Sequence, residues 1–177
     1  MKVETVDMQS TAGVIGAGEQ QTSGEWMHDI NKLKHILVPL DMSEAAFKAL
    51  RYAEPLARAF GAKITLLQIV RPPVYSAEGL YPIPDRTEQL EAMEHDMEKT
   101  CRRGLPADLD VKVAARYGYP ADDIPVIARE LEADLIVTTT HGYTGLKHLL
   151  MGSTAEGIVR RAPCPVLVVR DVEREFV

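Results

Sequence analysis

Short apolar runs of strand length return five times along this chain, each separated from the next by a stretch of helical period. The runs are HILVPL (His35–Leu40), KITLLQIV (Lys63–Val70), DVKVAARY (Asp110–Tyr117), DLIVTTT (Asp134–Thr140) and PVLVVR (Pro165–Arg170). A strand that is apolar at nearly every position, rather than at every second one, has to be covered on both faces. The intervening stretches supply those covers. Ser43 and Glu44 open a helix reaching to about Phe60, with Ala49, Ala53, Leu56, Ala57 and Phe60 on one stripe and Gly61 as its stop. Pro55 inside it removes one backbone bond and predicts a kink. A charged helix is expected over Thr87–Arg103, its Glu and Lys clusters forming a solvated face. A third carries Ile124, Ile127, Ala128 and Leu131 on one face, and a short fourth places Ala155, Ile158, Val159 and Ala162 at i, i+3, i+4 and i+7. Strands joined through helices pair in parallel by right-handed crossovers. The expected fold is therefore α/β, a doubly wound five-stranded parallel sheet with helices on both faces.

Around this core, residues 1–30 mix Gly, Ser, Thr, Gln and acidic residues without a period and read as a mostly disordered N-terminal arm. Residues 31–172 read as the folded domain and 173–177 as a C-terminal tail. Residues 71–86 (RPPVYSAEGLYPIPDR) are rich in Pro and read as a long loop, a candidate lid. The net charge of −6 argues against a nucleic-acid or anionic-membrane surface, since both select for clustered Lys and Arg. No apolar run approaches the roughly 18–20 residues of a membrane helix, and Glu4, Asp7 and Glu19 interrupt the start of the chain, unlike a secretory signal. The two cysteines, Cys101 and Cys164, lack metal spacing and suit a reducing compartment. Together these features predict a cytoplasmic protein with neither nucleic acid nor membrane as partner.

In a doubly wound sheet, ligands bind beyond the carboxyl ends of the strands, where the strand order reverses. Asp41 and Ser43 follow the first strand, Ile69 and Val70 end the second, and Thr138 to Gly142 leave the fourth. The most informative segment is TTHGYTGLKHLLMGSTAEG, Thr139 to Gly157. Gly142, Gly145 and Gly152 allow tight turns and close approach of backbone to a ligand. Gly152, Ser153 and Thr154 then start a helix whose outward amides and positive dipole end form an anion site. His141, Lys147 and His148 add positive or hydrogen-bonding potential. A second account needs no ligand: Ser153 with Glu156 three residues later is a capping box. The spacing is neither a Walker loop nor GxGxxG.

Other residues keep two readings. Asp41 at a strand end suits a phosphoacceptor, a metal ligand or a helix-start residue, although only Glu44 stands nearby as a further carboxylate. His35 is a packed or edge residue, and Cys164 between Pro163 and Pro165 is a buried strand-end thiol rather than a nucleophile. Cys101, next to Arg102 and Arg103, would be modestly reactive if exposed. No catalytic set and no metal site can be assigned from spacing.

The stretches VPLDMSEAA (Val38–Ala46) and DLIVTTTHGYTGLKHLLMGSTAEGIVRRAPCPVLVV (Asp134–Val169), with the strand–helix order between them, resemble the universal stress protein family over about residues 34–170. The resemblance implies a Rossmann-like sheet of strand order 3-2-1-4-5, as in the adenine nucleotide alpha-hydrolase-like superfamily, with ATP, accompanied or not by Mg²⁺, as the ligand. Nucleotide-binding members carry Gly, two residues, Gly, nine residues, then Gly with Ser or Thr. Here these are Gly142, Tyr143–Met151 and Gly152-Ser153, while Thr139 stands at the first glycine. By this resemblance Asp41 would hold the ribose, the Ile69 backbone would meet the adenine, and Gly142, Gly152, Ser153 and Thr154 would hold the phosphates. It also implies a homodimer through the strand Pro165–Arg170; the other account of that edge is cover by the N-terminal arm or by the C-terminal DVEREFV. The implied role is an ATP-binding dimeric sensor or signalling module in the stress response. Its alternatives are a slow ATPase or phosphoryl-transfer enzyme, for which one loop lysine and no base offer little, and an interaction dimer without nucleotide.

Overall fold

The computed structural model describes residues 32–72, 86–140 and 151–170. The readings made for the arm at 1–30, for most of the loop at 71–86, for the tail at 173–177 and for His141, Gly142, Gly145, Lys147 and His148 lie outside the described residues. The elements run β1 (His35–Pro39), α1 (Glu44–Phe60), β2 (Lys63–Val70), α2 (Arg86–Arg102), β3 (Val111–Tyr117), α3 (Pro120–Glu130), β4 (Leu135–Thr139), α4 (Ser153–Arg161) and β5 (Val166–Val169). The five strands form one sheet of order β3-β2-β1-β4-β5, and every pairing is parallel. The sequence reading of the fold, strand order included, matches this architecture.

The unbroken apolar runs are explained by the two cores. Successive strand residues face opposite sides of the sheet. Ile36, Val38, Ile64 and Leu66 pack with α1 and α2, while Leu37, Leu67 and Ile136 pack with α3 and α4. Ile36 and Leu37 are both fully buried, which only a sheet covered on both faces permits. Helix α1 meets the sheet through Ala46, Ala49, Ala53 and Ala57, whose small side chains allow close approach. Its ends are chemically defined: the Ser43 hydroxyl accepts from the Ala46 amide at 3.2 Å, and Gly61 closes it at φ 63°, where a Cβ is penalised. The helix continues through Pro55, running from Glu44 to Phe60. The proline lies on the exposed side, where water can serve the carbonyl it leaves without a donor.

Two further expectations are sharpened. Helix α2 is charged outward but seals the core with Met97 and Cys101, so Cys101 is 3% exposed and burial pushes its thiol pKa up. The exposure on which reactivity of that cysteine was conditional is absent, and burial favours the protonated thiol. His35 sits in the central strand, buried rather than at an edge.

Candidate functional site

The carboxyl ends of β1, β2 and β4 do not stop level, and the site follows from that stagger. The last register pair between β1 and β2 is Pro39 with Leu67, and the Leu40 amide still donates to the Leu67 carbonyl at 2.8 Å. Beyond it the chain turns away into α1, whereas β2 continues to Val70. Backbone groups of alternate residues in a strand point to the same side. Val70 accepts from the Gly118 amide on the β3 side, so the N–H and C=O of Ile69 point the other way, toward the space β1 has vacated. A planar ligand edge offering one donor and one acceptor fits there.

Asp41 and Met42 make the turn that opens this space. The Asp41 carboxylate accepts from the Ser43 amide at 3.0 Å, and Met42 adopts φ 60°, an unusual conformation for a residue with a side chain. One carboxylate thus shapes the β1–α1 turn while lining the cavity beside it.

The opposite wall is the start of α4. The capping box expected from Ser153 and Glu156 is not formed. The helix begins at Ser153, and Gly152, which has no side chain to offer, occupies the N-cap position. Glu156 instead pairs with Arg160 at 2.9 Å, one turn along. Ser153 and Thr154 are exposed, so the first turn offers its amides and two hydroxyls outward. Gly152 is required by the chain itself: its amide donates to the Thr140 carbonyl at 2.8 Å, and a Cβ there would lie 2.8 Å from the same oxygen. Thr139, standing where the family motif has glycine, ends β4 in extended backbone opposite Val169 and is accommodated as an ordinary strand residue.

Helix α4 is seated by contacts with α3. Pro125 has no N–H to give the carbonyl four residues back, Ala121, and Arg161 of α4 donates to that oxygen at 2.7 Å while also pairing with Asp122. A Cβ on Gly157 would meet the Ala121 side chain at 2.8 Å, so the two helices touch there.

Between these walls lies a cavity of about 290 Å³. It is lined by six of the seven residues expected from the sequence, Asp41, Ile69, Thr139, Gly152, Ser153 and Thr154; the seventh, Gly142, lies outside the described residues. Sequence reasoning missed Arg71, Pro120 and Ile124, which complete the wall from β2 and α3. The signal for Arg71 was present, since it follows the KITLLQIV run directly, at the carboxyl edge where ligands bind. Among the described residues no group of three or more His, Cys, Asp or Glu could hold a metal, and no helix is long and apolar enough to cross a membrane.

Comparison with known proteins agrees with this architecture. A family model described as "Universal stress protein family" matches residues 32–170. The universal stress protein MJ0531 of Methanocaldococcus jannaschii is 31% identical over 148 residues, covering 82% of this chain and 86% of that protein. The structure of universal stress protein UspA from Lactobacillus plantarum superposes with a TM-score of 0.65 at 30% identity, over 78% of this chain and 98% of that one. A universal stress protein in complex with cAMP shares the fold with a TM-score of 0.56 at 22% identity, over 77% of this chain and 96% of the other.

Proposed function

This chain belongs to the universal stress protein family, and from that premise we propose that it is an adenine-nucleotide-binding module whose ligand, ATP in the first instance, occupies the cavity at the carboxyl edge of the sheet. The observation that carries the reading is the convergence, around one cavity, of the Ile69 backbone, the Asp41 carboxylate and the start of α4 at Gly152–Thr154. In this reading the adenine edge pairs with the N–H and C=O of Ile69, Asp41 accepts from the ribose hydroxyls, and the phosphates rest on the amides and hydroxyls of Gly152, Ser153 and Thr154. Gly142 would complete the cradle and Thr139 would form its rim. The failure of Ser153 to cap its own helix supports this assignment, because the ligand-free account of that serine required the capping bond. The solved relative holding cAMP establishes the fold at its low identity; the nucleotide reading rests on this chain's own residues.

The same proposal includes a homodimer through β5 and a sensor or signalling role in the cytoplasm. At the β3 edge of the sheet, Glu94 accepts from the Ala115 amide at 2.8 Å and Arg102 donates to the Leu109 and Val111 carbonyls at 3.4 Å. Side chains of α2 thus occupy one edge, whereas β5 at the other keeps Val166, Leu167 and Val168 half-buried, which supports pairing with a second copy. A catalytic role finds less support, since the cavity lining contains one cation and one carboxylate among the described residues. The deciding measurement is the nucleotide released by heating freshly purified protein, followed by turnover with Mg²⁺. Retained ATP with negligible turnover is expected. Rapid ADP release would make the protein an enzyme, and absence of nucleotide together with no binding on titration would overturn the site.

A further inference from the structure

The Ile69 backbone can receive one edge of a base, but an edge contact leaves the faces of that base to be covered, and what covers them sets how tightly the base is held. Leu67 and Ile69 share one face of β2, and Arg71 follows directly after its last residue, Val70. All three line the cavity, and across from them stand Pro120 and Ile124 of α3. Leu67 and Ile69 pack into the core on this side of the sheet; Arg71 lies beyond it and is exposed. None of the ion pairs among the described residues involves its guanidinium.

From this placement we propose that Arg71 is a base-stacking residue: its guanidinium lies flat on the heteroaromatic ring whose edge is held by Ile69. The inference rests on the nucleotide reading above and deepens it. Three physical points favour the base over the phosphates as the partner of Arg71. A base lying in the sheet plane, in the space left by β1, presents one of its faces to the wall that Arg71, Pro120 and Ile124 complete. The phosphate cradle begins at β4 and α4, and β4 is two strands away from β2, a separation of about 10 Å. Finally, a guanidinium is planar and weakly hydrated, so it stacks on a ring in partly wet surroundings where an ammonium keeps its water.

Titration calorimetry of the full chain with adenosine, AMP and ATP tests this, using wild type, Arg71→Ala and Arg71→Lys. We expect Arg71→Ala to weaken all three ligands by the same factor, roughly 3- to 10-fold, with Lys restoring little of it. Because the side chain is exposed, the melting temperature of both variants should match that of wild type. A loss that grows with the number of phosphates and is repaired by Lys would assign Arg71 to the phosphates and overturn the proposal. Unchanged affinity for all three ligands would overturn it alone, leaving the nucleotide site standing. Wild type that binds none of the three would overturn both.

Discussion

The two ends of the sheet use the same residue types to opposite ends. At the amino end Asp134 precedes β4, and one of its carboxylate oxygens accepts from the amides of both Lys34 and His35, at 2.8 and 2.9 Å. The His35 ring lies between the Leu131 carbonyl at 2.9 Å and the Thr65 hydroxyl at 2.8 Å. Both ring nitrogens are engaged, and the packing around them is closed. At the carboxyl end Asp41 follows β1, accepts from the Ser43 amide and lines a cavity, while α4 starts with a glycine at its N-cap. An acidic residue beside a strand is thus a strut at one end and part of a cavity wall at the other. Both carboxylates are exposed; what separates them is that Asp134 ties the start of β4 to the start of β1, whereas Asp41 holds its own turn beside a cavity.

If that contrast is right, substitutions at the two ends should separate binding from stability. The largest effect is expected from Ser153→Glu. A carboxylate in the first turn of α4 favours the helix dipole but repels a phosphate, costing roughly 100- to 1,000-fold in ATP affinity by calorimetry with the melting temperature held or raised. Retained affinity would remove α4 from the site. This variant is cleaner than any change at Gly152, where a side chain collides with Thr140 whether or not a ligand binds.

At the other end, His35→Ala should cost about 2 kcal/mol in urea unfolding by leaving Thr65 and Leu131 without their partner and opening a small void. The affinity of the folded protein for ATP should be unchanged, and a parallel loss of both would break the contrast. The same histidine sets an acid limit. Burial is the largest cause holding its pKa below 6.5, so the unfolded chain binds the proton more readily. Its contribution is fully present above the unfolded pKa and is lost as pH falls below about 6.5, with a slope of at most about 1.4 kcal/mol per pH unit. Urea midpoints measured from pH 8 to pH 5 should show this slope in wild type and lose it in His35→Ala.

The smallest effect belongs to Asp41→Asn. The amide oxygen can still accept from Ser43, so the turn survives, whereas the charge offered to ribose hydroxyls is gone; about a 10-fold loss in affinity is expected at constant melting temperature. A fall in melting temperature instead would make Asp41 a strut like Asp134.

The sequence by itself determined the architecture, because apolar period is a local property: runs such as HILVPL and KITLLQIV can be buried on both faces only in a parallel sheet wrapped by helices. It also placed Asp41, Ile69 and the Gly152–Thr154 segment on the carboxyl edge, since chain order and strand direction suffice for that. Three things needed the tertiary structure. Which residue caps α4 depends on where the chain arrives from Thr140, and the choice fell on Gly152 although Ser153 carries the capping signature. The vacancy beside Ile69 exists because β2 outruns β1, a matter of register between strands that neither run specifies alone. The bond from Arg161 to Ala121 joins a carbonyl released by Pro125 to a side chain 40 residues away. In each case the deciding contact lies between segments distant in the chain, where local pattern carries no information and packing alone selects the partner.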